Sequence, residues 1–373
     1  MRIVIAPDSF KGSVSAVQVA EAIASGWREA RPNDELVELP MADGGEGTLD
    51  AFETAVPGAT RVPIRVTGPD GRAVQASWML LPPSDGLPGG TGVVELADTS
   101  GLPLMHGLDP MNAHTLGFGQ AIAAALDRGV SRLLLGIGGS ASTDGGCGVL
   151  VALGARLLDG QGMSVLLGGG ALPEIVSVER GRLRALPEGG ALVLSDVTNP
   201  LVGPSGAAAV FGEQKGADAS QRAALDAALA HWSAVLHGAG LTIDPATPGA
   251  GAAGGTGFGL LAWGAELASG ATTIADAVGL DAALASADLV IVGEGRFDAQ
   301  TESGKAPAVV AARAAAAGVP VALVAGAIAA STEGFAAWQS LTELAGGTES
   351  ALAEPLTWLR EAGRRIAVEV ASR

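Results

Sequence analysis

The sequence predicts an α/β protein in which a five-stranded parallel sheet is interrupted by a large insertion that forms a second α/β domain. Three observations lead there. Short apolar runs alternate with helical periodicities along the chain. Of the five runs suited to one sheet, two lie before residue 60 and three after residue 287. A hairpin signal and further buried runs fill the interval.

Arg2 to Ala6 reads as the first strand. A capping-box pattern at Ser15 and Gln18, an apolar stripe through Val19, Ile23 and Trp27, and Pro32 past the exit predict the first helix. Leu36 to Leu39 is the second strand. Arg61 to Val66 and Val74 to Leu81 flank Gly68-Pro69-Asp70-Gly71, which predicts a hairpin. Val93 to Leu96, Leu133 to Ile137 and Leu192 to Leu194 are further buried strands. Helical patterns lie between them, at Phe118, Ile122, Ala125 and Leu126, and at Val149, Leu150, Leu153 and Leu157. Leu289 to Val292, Val321 to Val324 and Leu341 to Leu344 return to the first sheet. The simplest architecture is a flavodoxin-like domain from residues 1–60 and 288–373, with residues 61–287 inserted as a second α/β domain. No internal repeat or heptad run interrupts it.

The 373 residues give ample chain for a dry core. A formal charge of −17 argues against nucleic acid or an anionic membrane as partner, because phosphate backbones are held by basic stripes and none is visible. An anionic small-molecule substrate therefore needs locally gathered cations. The start of the chain has no signal-peptide anatomy and the single Cys147 permits no internal disulfide; both point to the cytoplasm. The most apolar stretch, Ala306 to Ala330, contains Arg313, Gly318 and Pro320 and reads as a helix followed by a buried strand rather than a membrane span. Composition leaves a homo-oligomer open.

Only three lysines occur among 22 basic residues, and each stands beside glycine: Lys11-Gly12, Lys215-Gly216 and Gly304-Lys305. Arginine serves wherever a generic positive charge suffices, so these three point to sites that need a compact ammonium. The stretch from Leu133 through Gly136-Ile137-Gly138-Gly139-Ser140-Ala141-Ser142-Thr143-Asp144-Gly145-Gly146 runs from strand through a Gly/Ser/Thr loop into a helix. Such a loop can cradle phosphate; the alternative is a merely tight turn. Asp144 in that loop suggests a bridging Mg²⁺. Asp8 and Lys11 follow the first strand, and Asp43 and Glu46 the second, at the carboxyl edge where open α/β sheets bind ligands. Glu294, Arg296, Asp298 and Lys305 repeat the arrangement after the third strand, and Asp196, Asn199 and Lys215 form a further group. Carboxylates, ammonium groups and glycine loops are what phosphoryl transfer needs, since its catalysis is positioning plus charge neutralisation.

Other chemistries lack their residues. The four histidines, His106, His114, His231 and His237, show no metal spacing, and no G-x-S-x-G elbow occurs. Walker A fails at Ala299 and Ala306 around Gly304-Lys305. Gly249, Gly251 and Gly254 satisfy G-x-G-x-x-G, but Pro245 and Pro248 interrupt any preceding strand, Glu266 falls in a helical run, and 56 glycines make chance matches common.

Taken together, APDSFKGS, MADGGEGT, GIGGSASTDGG, DVTNPLVGPSGAA, VFGEQKGA, PGAGAAGGTGFG and GEGRFDAQTESGKAP, in order over residues 6–307, resemble the bacterial glycerate kinase family, type I. The resemblance implies ATP- and Mg²⁺-dependent phosphorylation of D-glycerate, with 2-phosphoglycerate favoured over 3-phosphoglycerate, on a flavodoxin-like domain with an inserted second domain. Two departures stand out. Leu116 occupies a position where the family commonly has tyrosine, and this chain has none; Ser142-Thr143-Asp144 replaces the usual Thr-Asn-Asp.

On this reading Asp196 accepts the hydroxyl proton, and Lys11, Lys305 and Arg296 gather the anions in a cleft that closes between the domains. Gly138, Gly139, Ser140, Ser142, Thr143, Gly145 and Lys215 hold ATP. Asp8, Ser9, Asp43, Glu46, Asn199 and Glu294 hold D-glycerate, and Asp43, Asp144 or Asp298 holds Mg²⁺. Two rivals are a non-catalytic small-carboxylate binding protein, which in its periplasmic form needs an export signal, and an NAD-dependent dehydrogenase resting on Gly249, Gly251 and Gly254.

Overall fold

The computed structural model describes residues 1–10, 12–298 and 305–371. The chain lays down β1 (Arg2–Pro7) and β2 (Glu35–Glu38). It then builds β3 (Thr60–Thr67), β4 (Ala73–Leu81), β5 (Thr91–Glu95), β6 (Arg132–Gly136), β7 (Arg156–Leu158), β8 (Ser177–Glu179), β9 (Ala191–Leu194) and β10 (Glu266–Ala268). Finally it adds β11 (Leu289–Phe297), β12 (Val321–Ile328) and β13 (Ala337–Ser340). Two compact units result: Met1–Asp43 with Asp50–Pro57 and Ser269–Arg373, and Gly44–Leu49 with Gly58–Ala268.

The first unit carries a sheet of order β13-β12-β11-β1-β2 with every pairing parallel. This is the doubly wound order in which the strand sequence reverses direction beside the first strand. Between β1 and β2 runs the helix Ala16–Ala30, started by the reciprocal bonds Gln18 N to Ser15 Oγ (3.3 Å) and Ser15 N to Gln18 Oε1 (3.2 Å). Its stripe of Val19, Ile23 and Trp27 is wholly buried and joins Ile3, Ile5, Ile291, Val324, Leu359 and Ile366 in one core. At roughly 2 kcal/mol per buried side chain, that stripe outweighs the helix's intrinsic preference.

The second unit carries the order β10-β9-β6-β5-β4-β3; β5, β6, β9 and β10 run parallel, and the β3–β4 hairpin is antiparallel. Its turn is closed by Gly68 N to Arg72 O. Phe118, Ile122, Val149, Leu150, Trp232 and Phe258 cover this sheet in its own core.

Three sequence expectations are corrected. Leu341–Leu344 is a helix, and the edge strand is the preceding β13; an apolar run of four residues has no period that separates the two. The helix expected from Val149 to Leu157 is Cys147–Ala152, ended before Gly154, whose φ of 109° no helix accommodates, and Leu157 lies in β7. Glu266 begins β10 rather than sitting in a helix. Among the described residues no helix is long and apolar enough to cross a membrane.

Candidate active site

In the first unit, β1 and β11 are neighbours, with Pro7 in register with Gly293 and Asp8 N donating to Gly293 O (2.8 Å). Asp8 and Glu294 thus emerge side by side at the carboxyl edge, each 6% exposed. A cavity of about 440 Å³ opens there. Asp8, Ser9, Glu294, Arg296, Asp298 and Lys305 are among its charged and polar lining, with Thr342 and Thr348; Leu341, Ala351, Leu352 and Pro355 supply apolar lining. Arg296 Nε stands 3.1 Å from Asp298 Oδ2. Lys305 is the N-cap of the helix Ala306–Ala317, whose Pro307 fits a first turn that has no use for its missing N–H. Past β2 the backbone keeps following β1, through Leu39 N to Ile5 O and Met41 N to Pro7 O (2.8 Å each), so Asp43 is delivered to the same edge. Lys11 lies outside the described residues.

In the second unit, Gly44 O accepts from Gly138 N (3.1 Å). A side chain on Gly138 would put its Cβ 2.5 Å from Gly45 Cα, so glycine is required where these two backbones meet. Glu95, 5% exposed at the end of β5, accepts from Gly47 N (3.2 Å) and Leu49 N (3.0 Å) and so anchors the loop that carries the exposed Glu46. Sequence reasoning missed Glu95; its only signal is an acid closing an otherwise apolar strand.

Much of the Gly/Ser/Thr loop is buried and bonded within the protein. Ser142, Thr143 and Asp144 are wholly buried and Gly145 is buried with them. Asp144 Oδ2 accepts from Thr115 N (2.9 Å), Thr115 Oγ1 (2.8 Å) and Gly148 N (3.3 Å), while Oδ1 accepts from Gly146 N (3.1 Å). Gly145 N donates to Gly254 O (3.0 Å) and Cys147 N to Asp144 O (3.0 Å). The amides of Gly145, Gly146, Cys147 and Gly148 are thus engaged within the protein. Asp144, expected as a metal ligand, is thus held inside the loop by its four hydrogen bonds with Thr115, Gly146 and Gly148, and Ser142, Thr143 and Gly145, expected as ATP contacts, are buried beside it. Gly138 is half-buried and Gly139 exposed, so the loop's accessible part ends before Ser140, which is 8% exposed.

Beneath this loop Lys215, 2% exposed, donates to Ser140 Oγ (2.8 Å) and Ser142 O (2.5 Å). Burial lowers its ammonium to about 7, against an opposing pull from Asp144. Lys215, expected as an ATP contact, here braces the loop from within through these two bonds. The buried hydroxyls of Ser142 and Thr143 have no partner among the described residues. Burial and the Asp144 charge push the Cys147 thiol well above its ordinary range, leaving it unreactive.

Asp196 and Asn199 follow β9 at the carboxyl edge of this sheet, both half-buried. Asn199 Nδ2 donates to Ser205 O (2.8 Å), which shapes its own loop. Gly249, Gly251 and Gly254 follow no strand. They lead into the helix Ala252–Trp263, whose Ala253, Gly254 and Gly255 turn left-handed, and a Cβ on Gly254 would meet Ser142 O at 2.0 Å. This run packs the 142–146 loop from behind and is no dinucleotide site.

The described residues contain no group of three or more His, Cys, Asp or Glu side chains arranged to hold a metal.

The glycerate kinase family model matches residues 3–371. The chain is 44% identical over 332 residues to glycerate kinase of Bacillus subtilis strain 168, covering 88% of this chain and 85% of that protein. It is 45% identical over 312 residues to glycerate 2-kinase of Escherichia coli K12, covering 82% and 80%. A crystal structure from Salmonella typhimurium LT2, described as a candidate glycerate kinase 2, matches with a TM-score of 0.84 at 40% identity over 100% of this chain and 98% of that one.

Proposed function

The chain belongs to the glycerate kinase family, and from that premise we propose that it transfers the γ-phosphoryl group of ATP, with Mg²⁺, to the 2-hydroxyl of D-glycerate. The observation that carries this reading is the cavity at the carboxyl edge of β1 and β11, where Arg296 and Lys305 stand among Asp8, Glu294 and Asp298. Two cations set among three carboxylates suit a phosphate that arrives with its metal ion, the carboxylates facing the ion and the cations the phosphate oxygens, and the position transferred follows the name of the Escherichia coli relative.

The chemistry is a displacement at phosphorus. The glycerate oxygen forms a bond to the γ-phosphorus as the bond to the bridging oxygen breaks, ADP leaves with that electron pair, and the hydroxyl proton passes to a carboxylate. Asp196 is the proposed acceptor; the proton departs late in a loose transition state, so an ordinary aspartate serves. Arg296 and Lys305 spread positive charge over oxygens that gain negative charge on the way to the transition state.

Hard carboxylate oxygens suit Mg²⁺, which takes one or two of them and completes its shell with phosphate oxygens and water rather than a full protein cage. Asp298, on the cavity wall, and Asp43, at the same sheet edge, are the proposed ligands, and both are half-buried rather than sealed. The ion would supply charge neutralisation at the phosphates.

A coupled assay tests this reading. ADP should form only when D-glycerate, ATP and a divalent metal are all present, and NAD should change nothing; ATP turnover without glycerate, or NADH formation, would contradict it.

A further inference from the structure

We propose that the first-unit cavity is the nucleotide subsite, with the base seated against Leu341, Leu352 and Pro355 and the phosphates at Arg296 and Lys305. The inference rests on the kinase reading and assigns the two substrates differently from the motif-based expectation, which gave Asp8 and Glu294 to glycerate.

Size decides first. At about 440 Å³ the cavity falls in the ~300–1,000 Å³ range that encloses drug-sized ligands, and a three-carbon acid would leave most of it filled with water. A nucleoside triphosphate is several times larger than glycerate and suits the space.

Chemistry decides second. The cavity draws its charged side chains from Asp8, β11, Asp298 and Lys305, and most of its apolar lining from the segment 341–355, where Leu341, Ala351, Leu352 and Pro355 stand with Thr342 and Thr348. Glycerate carries a hydroxyl or carboxylate on every carbon and has nothing to place on leucine and proline. A base has two apolar faces. Leu352 lines the cavity while 63% exposed, so a ring laid on it would remove apolar surface from water. The Thr342 hydroxyl donates to Gly326 O (2.8 Å) and ties the apolar wall to β12, so the compartment is built into the fold.

The inner part of the alternative location, residues 142–148, is engaged within the protein, which leaves only Gly138 and Gly139 of that loop accessible. In the 142–146 loop, the amides of Gly145, Gly146, Cys147 and Gly148 are already spent within the protein, and the Ser142 and Thr143 hydroxyls are sealed. The cavity, by contrast, lies where strand order reverses beside β1, the place open α/β sheets offer to ligands.

The test compares wild type with Leu352→Glu and Leu352→Ala by calorimetric titration with MgADP and with magnesium pyrophosphate, both without glycerate, and then by steady-state kinetics. Leu352 is exposed, so both variants should fold, which circular dichroism checks. Leu352→Glu should weaken MgADP by about tenfold and leave pyrophosphate, which has no base, within about twofold. The KM for ATP should rise by a similar factor, with the KM for D-glycerate unchanged. A raised KM for glycerate with ATP unaffected, or no change in either, would overturn the assignment. Because the titrations need no glycerate, a protein that bound MgADP in this Leu352-dependent way yet failed to phosphorylate glycerate would sink the kinase reading and keep the subsite. Glycerate turnover with Leu352-independent nucleotide binding would do the reverse.

Discussion

Lys215 Nζ donates to Ser140 Oγ across 2.8 Å beneath the glycine loop, with the lysine 2% and the serine 8% exposed. Removing the ammonium strands Ser140 Oγ and Ser142 O. Lys215→Ala should therefore cost about 3 kcal/mol of stability from the lost bonds and the space left behind, read as a lower denaturation midpoint.

The same lysine gives a pH signature. Its folded value of about 7 lies below the ordinary 10.5, so between those values the unfolded chain binds the extra proton and stability rises with pH. Below about pH 7 both states are protonated and the burial penalty is felt in full. Relative to Lys215→Met, wild type should gain on the order of 2 kcal/mol between pH 7 and pH 9, as two units of pH imply. Urea titrations of both proteins at the two pH values check it; a constant difference would contradict the buried, depressed ammonium.

Asp144 receives hydrogen bonds from Thr115, Gly146 and Gly148. Asp144→Asn would turn an amide NH₂ towards N–H donors and should destabilise by about 3 kcal/mol. The Mg²⁺ concentration giving half-maximal activity should stay within twofold of wild type, where about tenfold would mark a lost ligand.

Lys305 borders the cavity at a helix N-cap, and the proposed contact with phosphate calls for a compact ammonium rather than a planar fork. Lys305→Arg should fold normally yet lose at least about tenfold in kcat/KM, equivalent to ~1.4 kcal/mol of transition-state stabilisation. Near-wild-type kinetics would mean that this lysine is ordinary.

What the sequence revealed and what it concealed divide by range. The Ser15–Gln18 capping box and the Gly68–Gly71 turn depend on neighbours a few residues apart, and both appear in the structure as expected. The interrupted sheet was legible because two groups of apolar runs stood apart. The placement of Asp8, Glu294 and Arg296 at one edge then followed from parallel strands alone. The fate of Ser142, Thr143 and Asp144 was not legible. Their burial comes from the distant Gly254, which bonds Gly145, and from Trp232 Nε1, which donates to Gly145 O (3.0 Å). Glycine and hydroxyl composition is the same for a loop that faces a ligand and one that faces its own core.

Phosphorus NMR of the products from D-glycerate, ATP and Mg²⁺ tests the central claim most directly, because it reads activity and regiochemistry in one spectrum. The account predicts ADP and a single phosphomonoester identical to 2-phosphoglycerate. A 3-phosphoglycerate product would contradict the assigned position, and unchanged ATP in the presence of D-glycerate and Mg²⁺ would contradict the function.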